Sequence, residues 1–123
     1  MDSWDINLTE QVEDWYLTLA KEDPESANLI AAAIDMLAHE GPTLGRPLVD
    51  HIKASRHRNM KELRPGSAGN SEVRILFCFD PNRAAILLIA GDKNGQWKDW
   101  YRTSIPAADT LYDNHLQELK GQH

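Results

Sequence analysis

Three cations lie on or near predicted strands in the middle of the chain: Arg64, Arg74 and Lys93. Arg74 is the most unusual, because it interrupts a hydrophobic run over 73–79 whose other residues favour strands. A guanidinium in such a run needs either solvent or a charged partner. Since its planar fork binds two phosphate oxygens at once, a phosphate is the leading candidate ligand.

Structural explanations of the same cations stay open. Arg74 could form a cross-strand ion pair with Glu62 or Glu72. Arg64 could be a solubility charge on an edge strand. Lys93 lies in a glycine-flanked turn, where lysine is common.

Two further regions suit RNA binding. One is a cationic loop. The other is a later stretch in which charged residues alternate with aromatic rings, on which unstacked bases could stack. Structural alternatives exist for both. A histidine between arginines is commonly a solvated loop residue, and tryptophans usually bury most of their area. The candidate RNA-binding residues are Arg56, His57, Arg58, Lys61, Trp97 and Lys98.

The net charge of −6 hides a division of charge along the chain. Residues 1–45 contain ten acids and one lysine, whereas residues 46–103 contain eleven Lys or Arg and six acids. The negative net charge alone would argue against a protein that binds nucleic acid. The division instead predicts a basic face opposite acidic helices.

Composition excludes several classes of site. Cys78 is the only cysteine, so neither an intramolecular disulfide nor a cysteine-based zinc cluster can form. The histidines lack partners at ligand spacing, and the loop from Gly91 to Gly95 lacks a nucleotide-binding pattern, so we expect no metal and no cofactor. No basic leader and no apolar run of ~18 residues is present, which predicts a soluble cytoplasmic protein.

The elements that must position these residues follow from periodicity and capping. A strand is predicted over 5–8, a helix from residue 9 or 10 to about 21, and a second helix from Pro24 to Gly41. The loop over 43–59 is expected to be mobile. Strands follow at 60–64, 72–79 and 84–90, and Pro106 opens a last helix.

These elements predict one α+β domain over 1–123: an N-terminal helical hairpin packed on a small twisted antiparallel sheet, with a C-terminal helix, in two layers. Alternation in the strand over 72–79 directs Val73, Ile75 and Phe77 towards the helices. Arg74 then lies on the opposite face.

In its order of elements and in three motifs, the chain resembles the RelE/ParE superfamily of bacterial type II toxins, in particular its HigB-like branch. The motifs are Met-Lys-Glu-Leu-Arg at 60–64, Val-Arg-Ile-Leu at 73–76 and Leu-Leu-Ile-Ala-Gly-Asp-Lys at 87–93. The resemblance covers nearly the whole chain. It implies a RelE-like fold, a ribosome-dependent endoribonuclease that cuts mRNA, and neutralisation by a helix-turn-helix antitoxin.

The resemblance also implies site residues. Arg64 closes the branch's Glu-Leu-Arg triplet, Arg74 occupies the arginine of the next strand, and Lys93 follows the glycine that ends the strand after it. Tyr101 lies where some members carry an aromatic general acid. Glu62 stands where RelE itself has a lysine, and Asp92 with a single lysine replaces the usual paired lysines, so the general base is left unassigned.

Metal-free RNA cleavage needs a base for the ribose 2′-hydroxyl, cations for the phosphate and an acid for the 5′-oxygen. Arg74, Arg64 and Lys93 suit the phosphate. Glu62 could accept the 2′ proton if strand alternation places it on the face of Arg64, and His57 or Tyr101 could protonate the leaving oxygen. The predicted catalytic residues are Arg64, Arg74, Lys93, Glu62 and Tyr101.

Two other functions stay open. A ParE-like protein inhibits DNA gyrase by binding, without catalysis, and can share this fold. A catalytically silent, antitoxin-binding module would fit the acidic first helices and the reduced number of cations.

Overall fold

The computed structural model describes residues 3–66, 72–92 and 97–121, with only the backbone of residue 97. Within these ranges the chain forms a five-stranded sheet and three α-helices. The elements are β1 (Asp5–Leu8), α1 (Glu10–Glu22), α2 (Pro24–Glu40), a 3₁₀ turn (Gly41–Thr43), β2 (Val49–His51), β3 (Lys61–Leu63), β4 (Val73–Phe79), β5 (Ala84–Asp92) and α3 (Trp97–Gly121).

Local capping begins and ends the helical hairpin, as the sequence predicts. The Thr9 side chain accepts a hydrogen bond from the Val12 amide at the start of α1. Asp23 ends α1 and caps α2, where its carboxylate accepts from the Ser26 amide and Pro24 takes the first helical position. Gly41, with φ of 60°, ends α2 in a backbone conformation that favours glycine.

The sheet is mixed, with strand order β1-β5-β4-β3-β2. The predicted antiparallel pairing is confirmed for β3, β4 and β5. The strand β2, which was not predicted, pairs antiparallel with β3. The expectation of a purely antiparallel sheet is wrong, because β1 joins the edge of β5 in parallel. Parallel neighbours need a long connection, and here most of the chain lies between the two strands.

Helices cover both faces of the sheet, so the predicted two-layer arrangement becomes three layers. Residues of α1 and α2, among them Val12 and Ile30, pack on Ile75 and Phe77 of β4. On the opposite face, α3 packs on a second apolar cluster. Its buried members are Ile52, Met60, Leu76, Cys78, Ala84, Ile86, Leu88, Ile105, Ala108 and Tyr112.

The last helix begins nine residues earlier than predicted, at Trp97 instead of Pro106. Pro106 lies inside α3, on its exposed side. A proline inside a helix loses its amide hydrogen bond and its ring crowds the carbonyl of residue i−4. Packing of Ile105 and Ala108 on the sheet stabilises the helix on both sides of this position. The early turns place Trp100 and Tyr101 against the sheet.

Gly91 is what permits this close approach. A Cβ built on Gly91 would lie 2.3 Å from the Trp100 indole nitrogen, whereas one built on Gly45 would meet nothing within 4 Å. The indole therefore occupies the space that any side chain at position 91 would need.

We expect Gly91→Ala to lower the free energy of unfolding by about 1–3 kcal/mol, because the methyl group displaces Trp100 and the first turns of α3. Denaturant titration followed by tryptophan fluorescence measures this change. Gly45→Ala is the matched control and should alter stability little. Equal effects of the two substitutions would contradict the packing role of Gly91.

Candidate active site

Three of the predicted catalytic side chains meet on the α3 side of the sheet: Glu62 of β3, Arg74 of β4 and Tyr101 of α3. The Tyr101 hydroxyl donates a hydrogen bond of 2.6 Å to Glu62 Oε1. Arg74 Nε lies 3.4 Å from the same oxygen. Both charged side chains are nearly enclosed, with exposed fractions of 10% for Glu62 and 11% for Arg74.

Strand register brings these residues together. Glu62 lies opposite Leu76, whose side chain belongs to the α3 cluster, and Arg74 lies two residues before Leu76 on the same face. Arg74 lies opposite Gly91 on β5, beneath Trp100. The absence of a side chain at Gly91 thus lets α3 bring Tyr101 over the ion pair.

The alternative of a cross-strand ion pair is confirmed for Arg74 with Glu62, whereas the pairing with Glu72 is not seen. Arg74 Nη1 also donates to the Val73 carbonyl oxygen at 2.8 Å. Arg74 Nε is within ion-pair distance of Glu62 but has no partner of hydrogen-bonding geometry, although it is buried. One donor of the cluster is therefore buried without a hydrogen bond, which is unfavourable.

Tyr101 is a proton donor in this setting. Burial, followed by the hydrogen bond to Glu62, raises the pKa of Tyr101 to about 12. The phenol therefore keeps its proton at neutral pH, and its hydrogen bond requires Glu62 to act as the acceptor. The cluster holds a buried carboxylate, a guanidinium and a protonated phenol side by side.

Arg64 lies beside this cluster but has a different partner. Its Nη1 is 3.7 Å from Asp50 Oδ2, and 35% of its side chain is exposed. Asp50 lies on edge strand β2, directly opposite Glu62. Alternation places Arg64 on the face of Glu62, as predicted. Arg64 directly follows β3, which is paired with β2 on one side and β4 on the other, so the alternative of a solubility charge on an edge strand is wrong. Lys93 lies outside the described residues.

The cationic loop is fastened to α3 by two aspartates. Arg56 Nη2 and His57 Nε2 each lie 2.7 Å from the carboxylate of Asp113. Asp109 accepts a hydrogen bond from the Arg56 amide at 3.1 Å and another from the Ser55 hydroxyl. The prediction of a loop over 43–59 is wrong at residues 49–51, which form β2. The contacts with Asp109 and Asp113 hold residues 55–57 against the helix.

The remaining predicted RNA-binding residues are dispersed. Arg58 and Lys98 are exposed, and the side chain of Trp97 lies outside the described part of the chain. Lys61 projects to the α1–α2 side, where its Nζ lies 5.3 Å from the Phe79 ring centroid. Burial lowers the pKa of Lys61.

The sequence interpretation missed the acidic partners. Asp50, Asp109 and Asp113 absorb most of the nearby positive charge, yet none was selected as a site residue. The i,i+4 spacing of Asp109 and Asp113 on a predicted helix was an available signal. Among the described residues, no three His, Cys, Asp or Glu side chains are grouped in a way that could hold a metal ion.

Comparison with known proteins identifies relatives of the whole described fold. Residues 18–113 match the family model "Phage derived protein Gp49-like (DUF891)". The chain is 53% identical over 115 residues to "Putative toxin HigB2" of Mycobacterium tuberculosis, a match that covers 94% of this chain and 57% of the relative. It is 52% identical over 116 residues to "Putative toxin HigB3" of the same organism, covering 94% and 96% of the two chains.

The chain thus spans little more than half the length of the first relative and almost all of the second. The family match includes Glu62, Arg74 and Tyr101. The chain therefore belongs to the Gp49-like family of phage-derived proteins, alongside relatives named as HigB toxins.

Proposed function

We propose that the protein is the toxin of a type II toxin–antitoxin pair and an endoribonuclease that cleaves mRNA on the ribosome. The names of the two relatives support the toxin assignment. One observation carries the proposed chemistry: Glu62, Arg74 and Tyr101, from three separate elements, converge within hydrogen-bonding and ion-pair distance. These residue types can supply a base, a cation and an acid without a metal.

In the proposed reaction Glu62 accepts the proton of a ribose 2′-hydroxyl, and the 2′-oxygen attacks the adjacent phosphorus. Arg74 stabilises the charge that develops on the phosphoryl oxygens, with Arg64 and Lys93 as further cations. Tyr101 turns from Glu62 and donates its proton to the departing 5′-oxygen. The P–O5′ bond breaks, and the products are a 2′,3′-cyclic phosphate and a 5′-hydroxyl end.

Burial suits this chemistry because charge interactions strengthen where water is excluded. Glu62 and Arg74 are nearly enclosed, whereas Arg64 is 35% exposed and Tyr101 is partly exposed. The substrate phosphate therefore approaches from the side of Arg64 and Tyr101. Action on ribosome-bound mRNA implies a cytoplasmic location, and no described helix has the length and apolarity needed to cross a membrane.

A second candidate is a catalytically silent, antitoxin-binding module. The observation that favours it is that Glu62 already has two partners within the protein, because it accepts a hydrogen bond from Tyr101 and pairs with Arg74. Such a buried pair could have a purely structural role, in which it holds β3, β4 and α3 together. The ParE-like alternative gains no comparable support from these contacts.

We expect Tyr101→Phe to reduce mRNA cleavage by about 10² to 10⁴-fold, because the ring still packs but the proton donor is lost. The measurement is mapping of mRNA 5′ ends by primer extension after induced expression. Arg74→Ala should also abolish the new mRNA 5′ ends. Because this substitution leaves Glu62 buried without its cation, the folding of the variant must be checked in parallel.

Lys21→Ala is the control, because it removes a positive charge from the exposed end of α1, far from the site. Unchanged cleavage by Tyr101→Phe would contradict the assigned acid. Absence of new ends with the unaltered protein would favour the silent module, and a supercoiling defect with intact mRNA would favour gyrase inhibition.

The phenol of Tyr101 should titrate near pH 12, and Glu62→Gln should lower its pKa, because the acceptor carboxylate that holds the proton is removed. Absorbance at alkaline pH measures this. The measurement is made in a protein that carries Tyr112→Phe, because the pKa of Tyr112 is also raised to about 12, chiefly by burial, and its titration would overlap. A Tyr101 titration indifferent to Glu62→Gln would contradict the hydrogen bond.

The raised pKa of Tyr101 also predicts how the free energy of unfolding changes with pH. The folded phenol holds its proton more tightly than the unfolded one, so between pH 10 and 12 the folded state binds more protons. The free energy of unfolding should therefore fall as pH rises through this window. Tyr101→Phe should make that part of the profile less steep, and Tyr112, whose pKa is also raised to about 12, should account for slope that remains.

A further inference from the structure

A pocket of about 260 Å³ lies at the β2 edge of the sheet, beside the turn that follows α2. Residues 42–46 form one wall, and the strand residues Val49, Asp50, His51 and Lys61 form the other. The pocket is smaller than the roughly 300–1,000 Å³ that enclose drug-sized ligands, so it suits a single small group. The described catalytic candidates do not line it.

Strand register places two groups that can carry positive charge side by side in this pocket. Antiparallel pairing sets His51 of β2 directly opposite Lys61 of β3. Arg46, from the turn, is a third cationic group in the wall. Like charges directly opposite each other destabilise a sheet. A bound anion would offset that repulsion, because each of the three side chains can donate a hydrogen bond to it.

Lys61 is the half-buried member of this set. Its Nζ lies 5.3 Å from the Phe79 ring centroid, and no described carboxylate is within ion-pair distance of it. Burial lowers the pKa of Lys61, which means that its surroundings disfavour the charged form. An anion in the pocket would supply the partner that the fold does not provide.

The acceptors around the pocket already have partners. Asp50 is its one lining carboxylate, and its Oδ2 lies 3.1 Å from Arg46 Nη2. At the end of α2, the carbonyls of Glu40 and Gly41 accept hydrogen bonds from the turn that follows. The Lys61 ammonium is not sealed from solvent, so its donors remain available to a ligand in the pocket.

The pocket adjoins the candidate active site across β2. Asp50 Oδ2 lies 3.1 Å from Arg46 Nη2 and 3.7 Å from Arg64 Nη1, so two guanidiniums flank one carboxylate. Asp50 is also directly opposite Glu62. Because β2 is the edge strand of the described sheet, no further strand separates Arg64 from Arg46. An extended chain that passes Arg64 can therefore cross the edge and reach the pocket.

We propose that this pocket binds a phosphate group of the RNA strand that flanks the cleaved bond, with Lys61, His51 and Arg46 as its donors. The proposal rests on the proposed nuclease function and extends it to a second phosphate. A phosphate fits because its several oxygens can accept from donors on separate elements. Contacts of this kind fix the position of a strand without reading its sequence.

The test is fluorescence anisotropy with a short single-stranded RNA that carries 2′-methoxy groups and so cannot be cleaved. We expect Lys61→Met to weaken binding by about tenfold at 0.15 M salt, about physiological strength, because one charge-assisted hydrogen bond is lost. The slope of log affinity against log salt should become shallower by about 0.7, the value for one phosphate contact on a single strand. Unchanged affinity and slope would overturn the proposal.

Lys21→Met is the matched control. It makes the same charge change at the exposed end of α1, and Lys21 does not line the pocket. We expect RNA affinity within about twofold of that of the unaltered protein and an unchanged salt slope. An equal loss in this control would reduce the effect of Lys61→Met to general electrostatics and would also overturn the proposal.

A measurement of stability separates RNA binding from a structural role of Lys61. Methionine can keep the contact with Phe79 while it removes a charge that burial disfavours. Lys61→Met should therefore leave the free energy of unfolding unchanged or raise it, as measured by denaturant titration. A loss of RNA affinity accompanied by a loss of stability would assign Lys61 a structural role and contradict the phosphate site.

Two further readouts identify the ligand. In nuclear magnetic resonance of the lysine side chains, bound RNA should raise the pKa of Lys61 and leave that of Lys21 unchanged, because a nearby anion favours the ammonium. No change at Lys61 would overturn the proposal. Inorganic phosphate is the second probe. If it binds as tightly as the RNA and with the same dependence on Lys61, the pocket is a site for small phosphorylated molecules, which also overturns the proposal.

Failure of the proposed function gives a different result from failure of the pocket. With ribosome-bound mRNA as the substrate, Lys61→Met should raise KM more than it lowers kcat, because the contact is made outside the reacting group. Absence of cleavage by the unaltered protein, together with RNA binding that depends on Lys61, contradicts the nuclease assignment alone. Cleavage by the unaltered protein, together with RNA binding indifferent to Lys61→Met, contradicts the pocket alone.

Discussion

The structure depends on how it keeps the carboxylate of Glu62 in a nearly enclosed position. An unpaired buried carboxylate would cost several kcal/mol, and here Arg74 offsets its charge while Tyr101 donates a hydrogen bond to it. The three residues belong to β3, β4 and α3, so one electrostatic requirement ties a strand pair to the helix above it. Loss of Tyr101 would leave β3 and β4 joined by their backbone ladder and the ion pair, but would remove the hydrogen bond that connects α3 to Glu62.

The close fit between Gly91 and Trp100 makes the contact of Tyr101 with Glu62 possible. Gly91 allows the Trp100 indole to lie directly on β5, which lowers the first turns of α3 onto the sheet and brings Tyr101 within reach of Glu62. Further along, Asp109 and Asp113 bind the basic loop. The same helix thus positions the phenol and neutralises the loop cations, so the positive charge available to RNA is less than the count of Lys and Arg suggests.

Local patterns predicted the parts of the fold that depend on local physics. The start of α1 at residue 9 or 10, the cap at Asp23, the terminator Gly41 and the alternation that buries Ile75 and Phe77 were all predicted. The parallel pairing of β1, the helical start before Pro106 and the loop contacts of Asp113 depend on residues distant in sequence. Periodicity carries no signal for such contacts. At the site, family resemblance selected Arg74 and Tyr101, and strand alternation selected Glu62. The structure brings the three together, while the role of Lys93 remains a prediction.

The distribution of charge constrains how such a protein could be controlled. RNA is a polyanion, so under the proposed function the acidic first helices would repel the RNA that the cations near Arg64 would attract. A cationic partner has the opposite preference, and the two ligands need not compete for one surface. The length of α3 offers a direct route by which such a partner could act on the site. Tyr101 belongs to one continuous helix that runs to Gly121, so a small shift of that helix would lengthen the 2.6 Å hydrogen bond to Glu62.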